Sequence, residues 1–341
     1  MALIKPDRQP ARVVLVTGAT GAVGPRVVQA LHDSGYCVRT LSLDEPLINL
    51  FPDDVEVQVG DVTDPSTVHS AAQGVEAVIH LAALLHIVNP PPALREKYEQ
   101  INVGGTATVI EAAIQAGIKR VVFFSTIAVY GDSAGQVLTE GTLPRPDTFY
   151  AQTKLAAERI VLEAKRPDGQ SIGTVLRLGA VYGSRIKGNY RRLLQSLARD
   201  RFIPIGAGRN RRTLVYDKDV ARAATLAAHH PAAAGEIFNV SDGQCHTLNE
   251  IIMAMCVALG REPPRLSLPV VPIRFAAGIL EDTARLVGCR SPVVRATVDK
   301  YTEDIAVSSQ RIQAQLGFAP QFDLAAGWRE TVQEMQRMGD L

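Results

Sequence analysis

At 341 residues, 46% of them hydrophobic, the chain is long enough to bury a large core divided between two lobes. Its 36 basic and 35 acidic residues nearly cancel, which argues against nucleic acid or an anionic membrane as the main partner and leaves phosphate recognition to local groups. Cys37, Cys245, Cys256 and Cys289 are too widely spaced for a metal site or a disulfide framework and read as buried free thiols. No apolar run reaches the roughly 18 residues of a membrane span, and residues 1–10 carry no signal-peptide core, so the expected location is the cytoplasm.

Residues 13–16 form a β-favouring run that leads into Thr17-Gly18-Ala19-Thr20-Gly21-Ala22-Val23-Gly24, and the apolar spacing of Val27, Val28, Ala30 and Leu31 continues it as a helix. Strand, glycine turn and helix outline a dinucleotide cradle. Glycine lets backbone approach a pyrophosphate, and the helix N-terminus offers unpaired N–H groups to the anion. Residues 36–41 read as the second strand. At its end, where NAD enzymes place an acid for the ribose, stands Ser42, with Asp44 two residues on. No Arg or Lys follows to hold a 2′-phosphate, which favours NAD without excluding NADP. Asp44 reads equally well as the opening of an Asp44-Glu45-Pro46 turn.

Residues 55–59 give a third strand closed by Gly60-Asp61-Val62, where Asp61 either meets the adenine edge or caps the helix over 65–73. A fourth strand, 75–81, ends in His80-Leu81-Ala82-Ala83, small residues along which a cofactor can lie, with His80 read as structural. The stretch 84–94, containing Pro90-Pro91-Pro92, reads as a surface loop beside a substrate site. Helical spacing over 95–116 is followed by a fifth strand, 121–124, that runs into Ser125-Thr126-Ile127-Ala128-Val129-Tyr130-Gly131. A helix over 150–164 and a strand over 174–178 complete a regular alternation, and such βαβ repetition implies a doubly wound parallel sheet of the Rossmann kind.

Beyond residue 180 the alternation fails. Helices are expected over 190–200, 219–229, 247–259, 275–287 and 307–316, with a basic glycine loop over 206–212 and a strand over 236–240 that rejoins the sheet. The fold class is therefore α/β, with a smaller, mostly helical substrate lobe. The expected division is 11–179 plus 211–240 for the dinucleotide-binding part and 180–210 plus 241–341 for the substrate lobe.

Tyr150 and Lys154 stand four apart on one helix and so share a face. A phenol needs about three pKa units to act as a base near neutrality, and one neighbouring cation supplies about 1 to 3. Lys154 and the positive ring of an oxidised nicotinamide together would meet that need. Thr126, at a neighbouring strand end, shares a hydrogen bond with the substrate oxygen while Tyr150 moves the proton, so the implied reaction is hydride exchange at a carbinol carbon.

Thr17-Gly18-x-x-Gly21-x-x-Gly24, Asp61-Val62, His80-Leu81-Ala82-Ala83, Asn102-Val103-x-Gly105-Thr106, 126–130 and Tyr150-x-x-x-Lys154 together resemble the extended short-chain dehydrogenases, specifically the NAD-dependent epimerase/dehydratase family. The resemblance implies that Thr126, Tyr150 and Lys154 are catalytic. It places Gly18, Gly21, Ala22, Val23, Asp61, Val62, Ala82 and Val181 at the cofactor, to which the strand-end reading adds Ser42, Asp44, Leu81 and Ala83 and the catalytic helix Tyr150 and Lys154. Asn102 would steady the lysine. Related dehydratases carry an Asp-Glu pair after this Thr, and related decarboxylases keep a Glu at the second position. Ile127 and Ala128 hold no proton there, which leaves epimerase, ketoreductase or alcohol dehydrogenase.

Lys187-Gly188-Asn189-Tyr190 and 208–215 are similar to family loops that hold UDP-linked hexoses or N-acetylhexosamines. There Arg212 would bind the diphosphate through its planar fork, with the glycines bringing the loop backbone close to the ligand and Arg290 or Arg295 as a further phosphate contact; Ala180 stands where family epimerases often have Asn, a substrate contact that is either lost or supplied by Asn189. The resulting expectation is an NAD enzyme that inverts C4 of a UDP-hexose or UDP-N-acetylhexosamine through a 4-keto intermediate, acting as a homodimer with no metal. The alternatives are an NAD(P)H-dependent 4-keto-sugar reductase and a lipophilic alcohol or steroid-type dehydrogenase.

Overall fold

The structure, a computed structural model, describes residues 12–85, 93–287, 289 and 294–341. The expected Pro90-Pro91-Pro92 loop, the N-terminal ten residues and Arg290 lie outside the described residues.

The first half alternates as its sequence dictates: β1 (Val13–Thr17), α1 (Gly24–Asp33), β2 (Cys37–Ser42), β3 (Glu56–Val59), α2 (Pro65–Ala72), β4 (Ala77–His80), α3 (Ala93–Tyr98), α4 (Gly105–Gln115), β5 (Arg120–Thr126), α5 (Phe149–Glu163) and β6 (Gly173–Leu178). Polar side chains start several helices. Asp64 accepts from Ser66 N–H ahead of α2, and Thr148 accepts from Ala151 N–H ahead of α5. Then come β7 (Ala180–Tyr182), α6 (Asn189–Ala198), β8 (Arg211–Arg212), β9 (Leu214–Tyr216), α7 (Asp217–His229), β10 (Ile237–Val240), β11 (His246–Thr247), α8 (Leu248–Leu259), α9 (Val270–Leu286), α10 (Arg295–Thr302), α11 (Gln310–Leu316) and α12 (Leu324–Arg337).

Seven strands form one parallel sheet in the order β10-β6-β5-β4-β1-β2-β3. The order reverses between β1 and β4, so a crevice opens at their carboxyl ends, where doubly wound sheets take their ligands. The sheet packs on both faces. Val27, Val28 and Leu31 of α1 join Val220, Ala223 and Ala227 of α7 on one side, while Val68, Val109, Ala157 and Val161 of α2, α4 and α5 cover the other. A third cluster joins Leu194 of α6, Ile251, Ile252 and Met255 of α8, and Trp328 and Val332 of α12 to Tyr182 and Tyr216. Among the described residues no helix is long and apolar enough to cross a membrane.

Several expectations give way to tertiary detail. The single helix expected over 95–116 is broken into α3, a π-helical turn over Glu99–Gly104, and α4. Apolar spacing does not distinguish the i→i+5 bonds of a π-turn from ordinary helix. α9 starts at Val270 rather than 275, because Pro272 falls in a first turn whose N–H groups have no partner to lose. α10 and α12 were not anticipated. The thiols are not uniformly buried: Cys256 is, Cys245 is half-buried, and Cys37 and Cys289 are exposed.

We propose that the expected lobe division stands with two exchanges. Arg211–Arg212 pairs with β11 and goes with the substrate lobe. Ile312, Leu316 and Phe318, on and after α11, pack into the sheet's core and go with the dinucleotide-binding part.

Candidate active site

The glycine turn is built by close backbone contact. Gly18 has φ +69°, and a Cβ there would lie 2.7 Å from Ala82 N and Cα, so strands β1 and β4 meet with no side chain between them. A Cβ on Gly24 would lie 2.0 Å from Ala19 O. Val23 ends the turn without a side-chain cap, Pro25 follows with no N–H to satisfy, and the N–H groups of Arg26 and Val27 donate to Val23 O. A concave turn that excludes Cβ atoms, at the positive end of a helix, fits the pyrophosphate of a dinucleotide.

Around this hollow the expected cofactor residues divide. Gly18, Gly21, Ala22, Val23, Leu81, Ala82 and Ala83 lie in the turn or at the end of β4, and Leu81 N–H donates to Thr17 O at 3.2 Å. Ser42 is buried and its Oγ accepts from Thr20 N–H at 3.2 Å, so it braces the turn. Asp44 is exposed. Asp61 accepts from Thr63 N–H at 2.8 Å in the turn ahead of α2 and does not cap that helix, which Asp64 does, and buried Val62 packs against Gly105 of α4. Val181 is on β7, paired with β9, and with Asn189 it lines a cavity of about 40 Å³ beside Trp328.

A buried hydrogen-bonded chain links the switch point to the π-turn. Ala82 N–H donates to Thr17 Oγ1 at 3.4 Å, Thr17 Oγ1 meets His80 Nδ1 at 2.7 Å, His80 Nε2 meets Thr106 Oγ1 at 3.1 Å, and Thr106 Oγ1 donates to Asn102 O at 2.7 Å. Since the Thr106 hydroxyl proton is committed to Asn102 O, Nε2 of His80 donates to Thr106 Oγ1. The ring is neutral, so Nδ1 accepts from Thr17 Oγ1. Burial first, and the Lys154 charge second, push the imidazole down to about 3. This is the structural role expected of His80.

Asn102 accepts from Leu84 N–H at 2.7 Å and donates through Nδ2 to Leu84 O and to Thr153 Oγ1, each at 3.2 Å. Its carboxamide thus ties the strand end to α5 at the residue before Lys154. The contact nearest the lysine is thus with its chain neighbour Thr153, and any steadying of Lys154 by Asn102 runs through α5.

Lys154 is buried, with Nζ 4.0 Å from the centre of the Phe123 ring on β5. Burial pulls it down to about 7, against an opposing pull from Glu158 one turn on. Tyr150, one turn earlier, stands edge-on to Tyr98 at 6.4 Å, and burial pushes its phenol up to about 12. In the protein alone, desolvation thus outweighs the help expected from Lys154. Thr126 closes β5. Its Oγ1 accepts from Ala128 N–H at 3.1 Å, so its own proton is the one available to a ligand.

Sequence reasoning missed the layer beneath. Glu158, fully buried, accepts from Ser125 Oγ at 2.5 Å and from Arg177 Nε and Nη2 at 3.0 and 2.6 Å. Arg177 also lies 4.8 Å from the Tyr130 ring. The pair locks α5, β5 and β6 together beneath Thr126 and Lys154. Its signal was a Glu at i+4 from the lysine.

In the substrate lobe, Arg212 Nη2 donates to Lys300 O at 2.5 Å and Tyr301 O at 3.4 Å. Its Nη1 is buried without a hydrogen-bond partner among the described residues, 4.0 Å from Glu303. Arg211 is spent on Asp304, and Arg295 on Asp282 and Glu281. Gly208, expected to bring the loop close to a ligand, instead makes room for Asn249 of α8. A Cβ there would lie 2.0 Å from Asn249 Oδ1, and Asn249 Nδ2 donates to Ala207 O. Exposed Asn189 opens α6 behind Gly188.

Sheet, cradle and the Thr126, Tyr150 and Lys154 positions define an NAD enzyme of the extended short-chain dehydrogenase type. Residues 14–241 match the NAD dependent epimerase/dehydratase family, and the chain belongs to it. Its relatives differ in what they act on. It is 28% identical, over 94% of both chains, to the N-acetyl-alpha-D-glucosaminyl-diphospho-ditrans,octacis-undecaprenol 4-epimerase of Escherichia coli O157:H7. It is 27% identical to a 3 beta-hydroxysteroid dehydrogenase/Delta 5-->4-isomerase of Mycobacterium tuberculosis, over 91% of this chain and 86% of the other. Among solved structures it is similar to MoeE5 in complex with UDP-glucuronic acid and NAD, with a TM-score of 0.74, 28% identity, and 95% and 99% of the two chains covered.

Proposed function

We propose that this enzyme inverts C4 of a diphosphate-linked sugar, with a UDP-hexose or UDP-N-acetylhexosamine as substrate. The observation that carries the reading is the end of β5: Thr126 presents a hydroxyl, while the next two positions are the buried Ile127 and the half-buried Ala128, neither able to move a proton. Oxidation and reduction at one carbon remain; elimination at the neighbouring carbons does not.

NAD, when bound, supplies a hydride acceptor that also returns the hydride. The chain does the rest. Tyr150 takes the C4 hydroxyl proton and later gives it back, and Thr126 holds the same oxygen through its hydroxyl. Lys154 places positive charge beside the phenol and favours the phenolate. The half-satisfied guanidinium of Arg212 receives the diphosphate, exchanging its hold on the end of α10 for phosphate oxygens. The 4-keto sugar turns over between the two hydride transfers. The relative that epimerises C4 of a sugar diphosphate and the neighbour that binds a UDP-sugar with NAD support this reading.

The test is incubation of the purified protein with a panel of UDP-sugars and no added nicotinamide, with products identified by proton NMR. C4 epimers are expected, and Tyr150→Phe should slow their formation by roughly a thousandfold. Conversion only of a 4-keto sugar, with stoichiometric consumption of reduced cofactor, would replace the epimerase by the reductase.

A further inference from the structure

α9 is 17 residues long and buries only Ala277 and Gly278. These small residues form the seam against α10, where a Cβ on Gly278 would lie 2.5 Å from Arg295 Nε. The large apolar side chains stand on the outside: Val271, Phe275 and Leu286 are 78%, 71% and 87% exposed, with Ile279 and Leu280 about half exposed. Val271, Phe275 and Ile279 recur every four residues and line one stripe. A hydrophobic helix arranged this way awaits an apolar occupant.

Between that stripe and α10 lies a groove of about 390 Å³, walled by Val271, Phe275 and Ile279 with Arg274, Asp282 and Arg295 at its rim. The rim charges are already matched. Arg274 pairs with Asp299 at 2.7 and 3.1 Å, and Arg295 pairs with Asp282 at 2.5 Å and Glu281 at 3.3 Å. No rim guanidinium is left over for a phosphate or an acidic peptide, so the groove suits an uncharged hydrocarbon chain.

One helix, α10, joins the groove to the candidate diphosphate site. α10 begins at Arg295 on the groove's rim, and its last turn holds Arg212 through Lys300 O. Lys300 Nζ reaches Asp147 at 2.7 Å, directly before the residue that caps α5, the helix of Tyr150. At 1.5 Å per residue, Arg295 and Lys300 are about 8 Å apart along the helix. On the sugar-diphosphate reading, a group carried beyond the diphosphate at Arg212 can follow α10 to its first turn at the groove's rim.

We propose that the α9–α10 groove seats the hydrocarbon chain of a lipid diphosphate sugar, which extends the substrates of this site beyond nucleotide sugars to glycosyl diphosphates carrying an isoprenoid chain. The proposal rests on the sugar-diphosphate reading above; the reaction is the same inversion, with no net oxidation.

Farnesyl diphosphate-linked N-acetylglucosamine, kept below its micelle concentration, and UDP-N-acetylglucosamine are compared as substrates of the full chain and of the Phe275→Asp/Ile279→Asp variant. The expected result is a loss of at least tenfold in kcat/KM for the farnesyl substrate in the variant, with the UDP-sugar unchanged within twofold and the melting temperature held. Phe275→Leu should keep the farnesyl activity. Conversion of the UDP-sugar alone, or a farnesyl activity indifferent to the variant, overturns the proposal and leaves the epimerase reading intact.

If neither sugar is epimerised, the reading fails and calorimetry decides the groove. Tighter binding of farnesyl diphosphate than of inorganic diphosphate, lost in the variant, upholds a chain site; equal binding overturns it. A dimer that the variant dissolves, without a farnesyl preference, assigns the face to a second copy. Binding to phosphatidylcholine vesicles or to a steroid alcohol, again without that preference, assigns it to a bilayer or to a sterol. Each of these also overturns the proposal.

Discussion

The turn after β1 and the seam of α9 both depend on glycine, with opposite results. At Gly18 the backbone of one strand lies against the backbone of another, and neither can move aside. At Gly278 the neighbour is the end of an arginine side chain, which can. The same contrast holds for charge: Glu158 and Arg177 are paired at 1% and 3% exposure, whereas Arg274 and Asp299 are paired at 50% and 51%. The nucleotide-binding half is over-determined by contacts that leave no alternative, and the α9–α10 corner keeps its large groups available. A polar hollow needs the first condition and an adaptable apolar groove the second.

The sharpest break of that contrast is in the buried pair. Glu158→Gln leaves the Arg177 guanidinium in the core without its counterion and should destabilise the protein by about 3 to 5 kcal/mol. Denaturant unfolding measures this, and a change under about 1 kcal/mol would show that the layer beneath the site is not rigid. Next in size is Gly18→Val. A β-branched residue at φ +69°, with its Cβ 2.7 Å from Ala82 backbone, should cost about 3 kcal/mol and release the dinucleotide. Bound NAD in the purified variant, assayed after acid release, gives the answer; a full complement would refute the cradle.

A pH series sharpens the comparison further. Lys154 is pulled to about 7 in the folded protein, whereas an unfolded lysine holds its proton to about 10.4. Between these values the unfolded chain binds more protons, so stability rises with pH, and the burden of the buried ammonium is full below pH 7. Lys154→Met should therefore stabilise the protein most at pH 6, and its advantage should shrink by about 2 kcal/mol by pH 9. An advantage equal at both values would mean that the ammonium is not desolvated. The smallest effect belongs to α9: Leu286→Gln should shift stability by no more than about 0.5 kcal/mol, because the side chain is already in water.

The sheet and much of the site were legible in the sequence. Strand runs with period-free apolar character, punctuated by glycines, leave little but a buried parallel sheet. The Tyr150 and Lys154 spacing sets their common face on α5 without reference to anything distant. Partners set by distant chain were not legible. Ser42 was read as a ribose neighbour and braces the glycine turn; Gly208 was read as ligand-facing and admits Asn249. Asn102, which the resemblance makes a support of the lysine, bonds Leu84 and Thr153, the latter the residue before Lys154.

Local pattern, then, determined most of the elements, the glycine turn and the placing of Tyr150 and Lys154 one turn apart on α5, since each follows from neighbours within a turn or two of chain. Tertiary structure alone decided which charges are buried together, where the π-turn interrupts a continuous apolar period, and that α9 turns its small residues inward. Burial and close approach depend on residues far apart in sequence, such as Ser125, Glu158 and Arg177, or Arg212 and Lys300, and no local period encodes them.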